Sequence, residues 1–273
     1  MGILILAVVT LPLLTALFLK VANRFLNELL TNFITINAAL LSVAVSFFMF
    51  GYLLLDKFKP IKFELFEWYP SPQIIFEFYL DGLSGVMMIL ISGLSLVIQL
   101  FSTSYMSKDE KYTKYFEYFN FFVFSMLLLV LSGNFLVMFF GWELVGLSSY
   151  LLISFWYEKN SAAKAGNKAF ILNRIGDFGF LIGLMMILNY FETFNFVNIF
   201  ESVLIKQPSN LDLIILFLLL GAFGKSAQFP LFSWLPDAME GPTPASALIP
   251  AATMVTAGVF MLVRVSPMLQ FSE

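Results

Sequence analysis

The sequence predicts an all-α integral membrane protein with about eight transmembrane helices, and three observations carry that prediction. Of its 273 residues 60% are hydrophobic and 12% charged, with a mean hydropathy of +0.88, far too apolar for a soluble globule. The apolar residues gather in runs close to the roughly 20 that a spanning helix needs. Stretches such as LIILFLLL at 213–220 are continuous and do not alternate as barrel strands do, so backbone groups in lipid are satisfied within helices.

The first run, 3–19, lacks a basic start and a small-residue cleavage site, and further spans follow it, so it reads as a retained helix and not as a signal peptide. Runs at 33–55, 83–102 and 118–133 follow. The run 135–156 contains FFGWELVGLSSYLLISFW, with Glu143 near its middle, and the run 169–190 contains Arg174 and Asp177. In the run 211–230, Lys225 lies among Gly221, Gly224 and Pro230, which interrupt the apolar pattern. Unwound backbone at that depth is tolerated only where it is buried in protein or faces a water-filled cavity, and Ser226 and Gln228 would hydrogen-bond water there. The last run, 245–266, carries Pro250. Lys and Arg favour the connections 20–32, 107–117 and 157–168 over 190–212 and 231–244, although 56–82 also holds Lys57, Lys59 and Lys62. The positive-inside bias places the N-terminus on the outer side.

With no Cys and no His the chain has no disulfide frame, no iron–sulfur ligation and neither of the commonest haem and zinc ligands, so no redox cofactor and no metal is expected in it. A net charge of −3 without a basic patch gives no reason to expect a nucleic-acid partner. GAFGKS at 221–226 imitates a phosphate-binding loop, but Leu219 stands where the first glycine belongs. GDFG at 176–179 imitates a kinase triplet in a chain with no glycine-rich loop and no HRD. Both are coincidences.

The ionisable residues at membrane depth carry more information. Left unpaired, Glu143, Arg174, Asp177 and Lys225 would together cost on the order of 10 kcal/mol, so they are expected to pair. Glu143 and Lys225 lie at similar depth with opposite sign and are expected to meet across neighbouring helices. Arg174 and Asp177, at i and i+3, share a helix face, with Lys164 and Lys168 placing a positive edge before them. A purely structural clamp returns little, because interhelical polar contacts average about 0.6 kcal/mol in membranes. Charge transport is therefore the preferred reading for Glu143 and Lys225, while Arg174 and Asp177 suit structure and transport equally. Burial disfavours an ammonium and a nearby carboxylate favours it, so a change in their separation would move a proton onto or off Lys225.

GWELVGLSSYLLISFW at 141–156, NKAFILNRIGDFGF at 167–180 and above all GKSAQFPLFSWLPDAMEGPTPASALI at 224–249 resemble the antiporter-like membrane subunits of respiratory complex I. From about 81 to 266 the strings DGLS, SYM, GWE, NRIGD and LPDAMEGPTP occur in order. The resemblance implies a proton-pumping module of two inverted five-helix repeats, each with a broken helix and a mid-membrane lysine. It divides the chain into N-terminal helices at 1–117 and one antiporter-like repeat at 118–273. It assigns proton translocation to Glu143 and Lys225 and a coupling ion pair to Asp177 and Arg174, and leaves Asp237 and Glu240 as loop residues. It also implies an enzyme only as part of an assembly: NADH, FMN, iron–sulfur clusters and ubiquinone belong on other subunits. Other membrane-arm subunits and lipids are the expected partners, in a mitochondrial inner membrane or, alternatively, a bacterial plasma membrane. The 34 phenylalanines fit a biased organellar genome.

Two departures from the family pattern carry expectations of their own. The sequence reaches Glu273 with one repeat, so a second polypeptide is expected to supply the other. Pro250 stands where the family usually carries histidine, so a candidate water wire through Ser246, Thr253 and the carbonyl of Ser246 is expected in place of an imidazole relay, with a tolerated kink as the plain alternative. The alternatives for the whole are a subunit of a multisubunit Na⁺/H⁺ antiporter, or a structural complex I subunit that no longer pumps.

Overall fold

A computed structural model of the chain describes residues 1–70, 73–205 and 210–271; parts of two expected connections, at 71–72 and 206–209, and Glu273 lie outside them. Helix α1 (Gly2–Ala22) is followed by α2 (Glu28–Leu55), opened by Asn27, whose side chain accepts from the Leu30 amide at 2.8 Å. A β-hairpin of β1 (Ile61–Pro70) and β2 (Gln73–Leu80) leads into α3 (Gly82–Tyr105), capped by Asp81. Then come α4 (Tyr112–Val130), α5 (Phe135–Ile153), α6 (Asn160–Phe191), α7 (Phe196–Ile205) and α8 (Leu211–Lys225). After the short α9 (Trp234–Asp237), a composite helix combines α10 (Thr243–Ser246), a π-helical turn (Ala247–Thr253) and α11 (Met254–Arg264). The short α12 (Ser266–Leu269) closes the described chain.

Among the described residues six helices are long and apolar enough to cross a membrane: α1, α2, α3, α5, α6 and the composite Thr243–Arg264. The fold class is as expected, but the expected eight spans are not all of that kind. The run 118–133 becomes part of α4, whose first half brings in Lys114, Glu117 and Asn120. The run 211–230 is helical only to Lys225, at 15 residues. The expected domain boundary between 117 and 118 falls inside α4.

Two stretches expected as plain connections hold regular structure. Residues 61–70 and 73–80 pair as antiparallel strands, with Ile61 opposite Leu80, Phe63 opposite Phe78 and two register shifts on β1. Its sequence alternates apolar and polar residues from Ile61 to Leu65, the period of a half-buried strand. Phe78 and Leu80 are buried, and the Tyr79 amide donates to the Leu131 carbonyl at 2.8 Å, so the hairpin closes over one end of α4. In the connection 190–212, α7 buries Phe196, Ile199 and Val203, one stripe of an amphipathic helix.

The core centres on α4, which packs against α1, α3 and α5 and buries Phe116, Phe119, Phe122 and Met126. Helix α2 packs against α3, and among the buried residues of the two are small ones, Thr35, Ser42 and Ser46 on α2 and Ser92 and Ser95 on α3, of the kind that let transmembrane backbones approach closely. For the site, the decisive arrangement is that α6 lies between α5 and α8 and touches both.

Candidate functional site

The α6–α8 crossing is built on glycine. A methyl group at Gly176 would lie 3.0 Å from the Gly224 Cα, and one at Gly179 would lie 2.7 Å from the Leu220 Cβ, so only hydrogen fits. Gly221 and Gly224 were expected to interrupt their helix; instead α8 runs through both, and their missing side chains admit α6. This contact carries Asp177, next to Gly176, up to Lys225, next to Gly224.

Lys225 has no exposed surface and Asp177 is 3% exposed. The lysine Nζ donates to the Asp177 Oδ2 at 3.4 Å, and the Trp142 indole N–H donates to the Asp177 Oδ1 at 2.7 Å. The same ammonium lies 5.8 Å from the centre of the Trp142 ring. A methyl group at Gly146, one turn beyond Trp142 on α5, would sit 2.7 Å from the Lys225 Nζ. Arg174 forms an ion pair with Glu143 across the α5–α6 interface and lies 4.0 Å from the Asp177 Oδ2. The four groups therefore run Glu143, Arg174, Asp177, Lys225, alternating in sign from a partly exposed end to a dry one.

This changes the expected pairing. Glu143 and Lys225 do not pair directly: Lys225 meets α5 at Trp142 and Gly146, whereas Glu143, on another face of that helix, pairs with Arg174, and Asp177, one turn on along α6, pairs with Lys225. Lys164 is exposed, and Lys168 bonds Asp237 at 2.7 Å, tying α6 to the segment after the break, so the lysines form no edge on the buried pair. Glu240 is exposed. Trp142, Gly146 and the Gly176–Gly224 contact were not anticipated. The glycine spacing in GDFGFLIG and GAFG, small residues three or four apart in apolar runs, was the available signal for the crossing.

The end of α8 at Lys225 is satisfied without further helix. Ala227 takes a left-handed conformation (φ 50°), the Gln228 amide bonds back to the Phe223 carbonyl at 3.0 Å, and the Trp234 indole N–H donates to the Gly224 carbonyl at 3.0 Å. The Ser226 hydroxyl donates to the Val255 carbonyl at 2.8 Å, linking the break to α11. In the composite helix Pro250 cannot donate to Ser246, and the turn widens to a π-helix in which the Met254 amide bonds the Ile249 carbonyl. The Thr253 hydroxyl, fully buried, donates to the Leu248 carbonyl at 2.8 Å, and the Ser246 hydroxyl lies 3.4 Å from the Ala238 and Pro242 carbonyls. Both hydroxyls thus bond carbonyls of their own or the preceding segment.

Residues 132–273 match the family model described as NADH:quinone oxidoreductase/Mrp antiporter, transmembrane, and residues 68–116 match the N-terminal model of NADH-ubiquinone oxidoreductase (complex I) chain 5. The NADH-ubiquinone oxidoreductase chain 5 of Acanthamoeba castellanii is 43% identical over 275 residues, covering 96% of this chain and 40% of the relative. That of Metridium senile is 43% identical over 265 residues, covering 96% and 44%. The NADH-quinone oxidoreductase subunit L of Mycobacterium tuberculosis is 45% identical over 212 residues, covering 77% and 34%. The chain thus spans less than half the length of these relatives. A chain in the structure of the Mrp complex from Dietzia sp. superposes with a TM-score of 0.82 at 26% identity, over 96% of this chain and 28% of that one. A chain of the archaeal membrane-bound sulfane sulfur reductase shares the fold with a TM-score of 0.83 at 23% identity, over 97% and 53%.

Proposed function

The chain belongs to the NADH:quinone oxidoreductase/Mrp antiporter family of transmembrane proteins, and from that premise we propose that it is a proton-translocating membrane-arm subunit of NADH:ubiquinone oxidoreductase, respiratory complex I. It would take part in the enzyme's reaction only within that assembly, with NADH, FMN, iron–sulfur clusters and ubiquinone on other subunits. The observation that carries the reading is the row of four ionisable groups of alternating sign between α5, α6 and α8, ending on a lysine with no exposed surface.

In this reading Glu143 and Lys225 are linked through Arg174 and Asp177. When Glu143 takes up a proton, Arg174 loses its counter-charge and turns to Asp177, already 4.0 Å away. Asp177 then holds the Lys225 ammonium less strongly, and an ammonium that loses its counter-charge in a dry site gives up its proton. One proton enters at Glu143 and one leaves Lys225, so the net charge of the row is unchanged. We place the onward route beside the π-helical turn, with Ser246, Thr253 and the carbonyl of Ser246 holding water where Pro250 offers no proton carrier. A further polypeptide segment would supply the second repeat, packed with other membrane-arm subunits. The membrane would be the mitochondrial inner membrane or a bacterial plasma membrane; relatives of both kinds support either.

The test is proton-to-electron stoichiometry in the reconstituted assembly carrying Glu143→Gln or Lys225→Ala. Lowered stoichiometry with normal subunit content is expected, whereas full pumping at normal subunit content would exclude that residue. The likeness to the Mrp complex keeps a Na⁺/H⁺ antiporter subunit as the second reading; isolation of the chain's assembly without flavin or iron–sulfur proteins would favour it.

A further inference from the structure

A groove of about 650 Å³ runs between α1, α4 and α5. Its deeper wall is apolar, made by Leu13, Leu17, Phe121 and Leu147, of which Leu17 and Leu147 are exposed. Its rim holds Lys20, near the end of α1, and Lys114, near the start of α4. Both helices turn there at the face that carries the basic connections 20–32 and 107–117, the inner face by the positive-inside bias. From Lys20 to Leu13, and from Lys114 to Phe121, is seven residues, a rise of about 10 Å and well within the ~15 Å of one leaflet.

Among the described residues neither Lys20 nor Lys114 has a carboxylate within ion-pair distance; Lys114 lies over the rings of Tyr118 and Tyr157 at 5.6 and 6.0 Å. Glu117, also in the groove, offsets one of the two charges and leaves a net charge of about +1 at the rim, which one phosphodiester would neutralise. Asn23 adds an amide donor at the same level. Apolar wall below, amines above and a single surplus charge together describe one chemistry. We propose that this groove binds an anionic phospholipid of the inner leaflet, its phosphodiester held by Lys20 and Lys114 and one acyl chain laid along Leu13, Leu17 and Phe121. A basic pocket between transmembrane helices on the inner side selects anionic headgroups over zwitterionic ones.

The native assembly is returned to phosphatidylcholine nanodiscs carrying a trace of photoactivatable phosphatidylglycerol or, in parallel, photoactivatable phosphatidylcholine, and labelled peptides are mapped after irradiation. Phosphatidylglycerol is expected to label α1 and α4 several-fold more than phosphatidylcholine does. The double variant Lys20→Gln, Lys114→Gln is expected to lower that labelling by about fivefold per lysine, and Glu117→Gln to raise it. In the unmodified protein the preference should also shrink at high ionic strength, which tests the charge without any substitution. Equal labelling by the two probes, labelling of these helices unchanged in the double variant, or walls that take no lipid because a neighbouring protein fills the groove would each overturn the assignment.

Discussion

At the scale of single residues the site depends on one missing side chain as much as on four charges. Gly146 leaves the space that the Lys225 ammonium occupies, with a methyl group there falling 2.7 Å from Nζ and 3.9 Å from the Asp177 Oδ2. Gly146→Ala suits the helix, adding up to about 1 kcal/mol of intrinsic propensity, yet it displaces the ammonium from Asp177. The expected outcome is a lower proton-to-electron ratio with thermal stability unchanged or slightly raised, a combination that a general packing defect does not produce. Unaltered pumping in a folded Gly146→Ala assembly would show that the Lys225–Asp177 distance is not critical. Trp142 acts at the same scale: its indole N–H fixes one oxygen of Asp177 and leaves the other for Lys225 and Arg174.

At the scale of elements, the crossing of α6 and α8 sets which groups meet. Gly176→Ala would bring a methyl group to 3.0 Å from the Gly224 Cα and 3.1 Å from the Leu220 carbonyl, both backbone atoms that cannot rotate away. The helices must separate, at a typical overpacking cost of about 1–3 kcal/mol. Asp177 and Lys225, the residues that follow the two glycines in sequence, separate with them. Gly176→Ala is therefore expected to lower both the melting temperature and pumping, in contrast to Gly146→Ala; a stable, fully pumping Gly176→Ala assembly would show that the crossing can relax without moving the charges. The break after Lys225 has its own support, because the Trp234 indole and the Gln228 amide satisfy carbonyls of the last turn of α8. It can therefore persist at membrane depth.

For the whole molecule, two carboxylates at the hairpin end join segments far apart in sequence and give its stability opposing pH dependences. Glu77, 4% exposed, accepts from the side-chain amide of Asn195 at 2.7 Å; burial raises its pKa, only partly offset by the amides of Asn195 and Asn134. Asp81 receives both Arg264 Nη groups, one at 3.1 Å, and joins the start of α3 to the end of α11; burial alone would raise its pKa, but the Arg264 hydrogen bonds and charge, with Ser84, hold it below the usual value. A raised carboxyl takes up its proton more readily when folded, so the Glu77 contribution is complete below about pH 4.3 and is lost as pH rises through the folded value. A lowered one behaves in reverse: the Asp81 contribution is present above about pH 3.9 and is lost as pH falls through its folded value. Thermal unfolding in detergent should show Glu77→Gln flattening the decline on the neutral side and Asp81→Asn flattening it on the acid side, the latter also costing about 1.5–3 kcal/mol near neutrality. A neutral-side slope that survives Glu77→Gln would remove Glu77 as its source.

Composition and run length alone lead to a membrane protein of packed helices, and burial cost alone singles out Glu143, Arg174, Asp177 and Lys225, because a charge in lipid is expensive wherever it sits along a helix. The family strings likewise lie in the chain itself, since motif order is a linear property. The choice of partner is different in kind. Glu143 and Lys225 match in depth and sign, but whether they touch depends on which face of α5 each meets: Lys225 reaches it at Trp142 and Gly146, Glu143 lies on another face, and α6, drawn against α8 by glycine contacts, supplies a partner to each. The pairing of β1 with β2 depended on tertiary structure for a similar reason: the alternation is short and interrupted by register shifts, and it becomes regular only when the two strands pair and close over the end of α4. Periodicity along one segment records which face of it is buried, whereas ångström-scale contacts between segments are settled by how several of them pack at once.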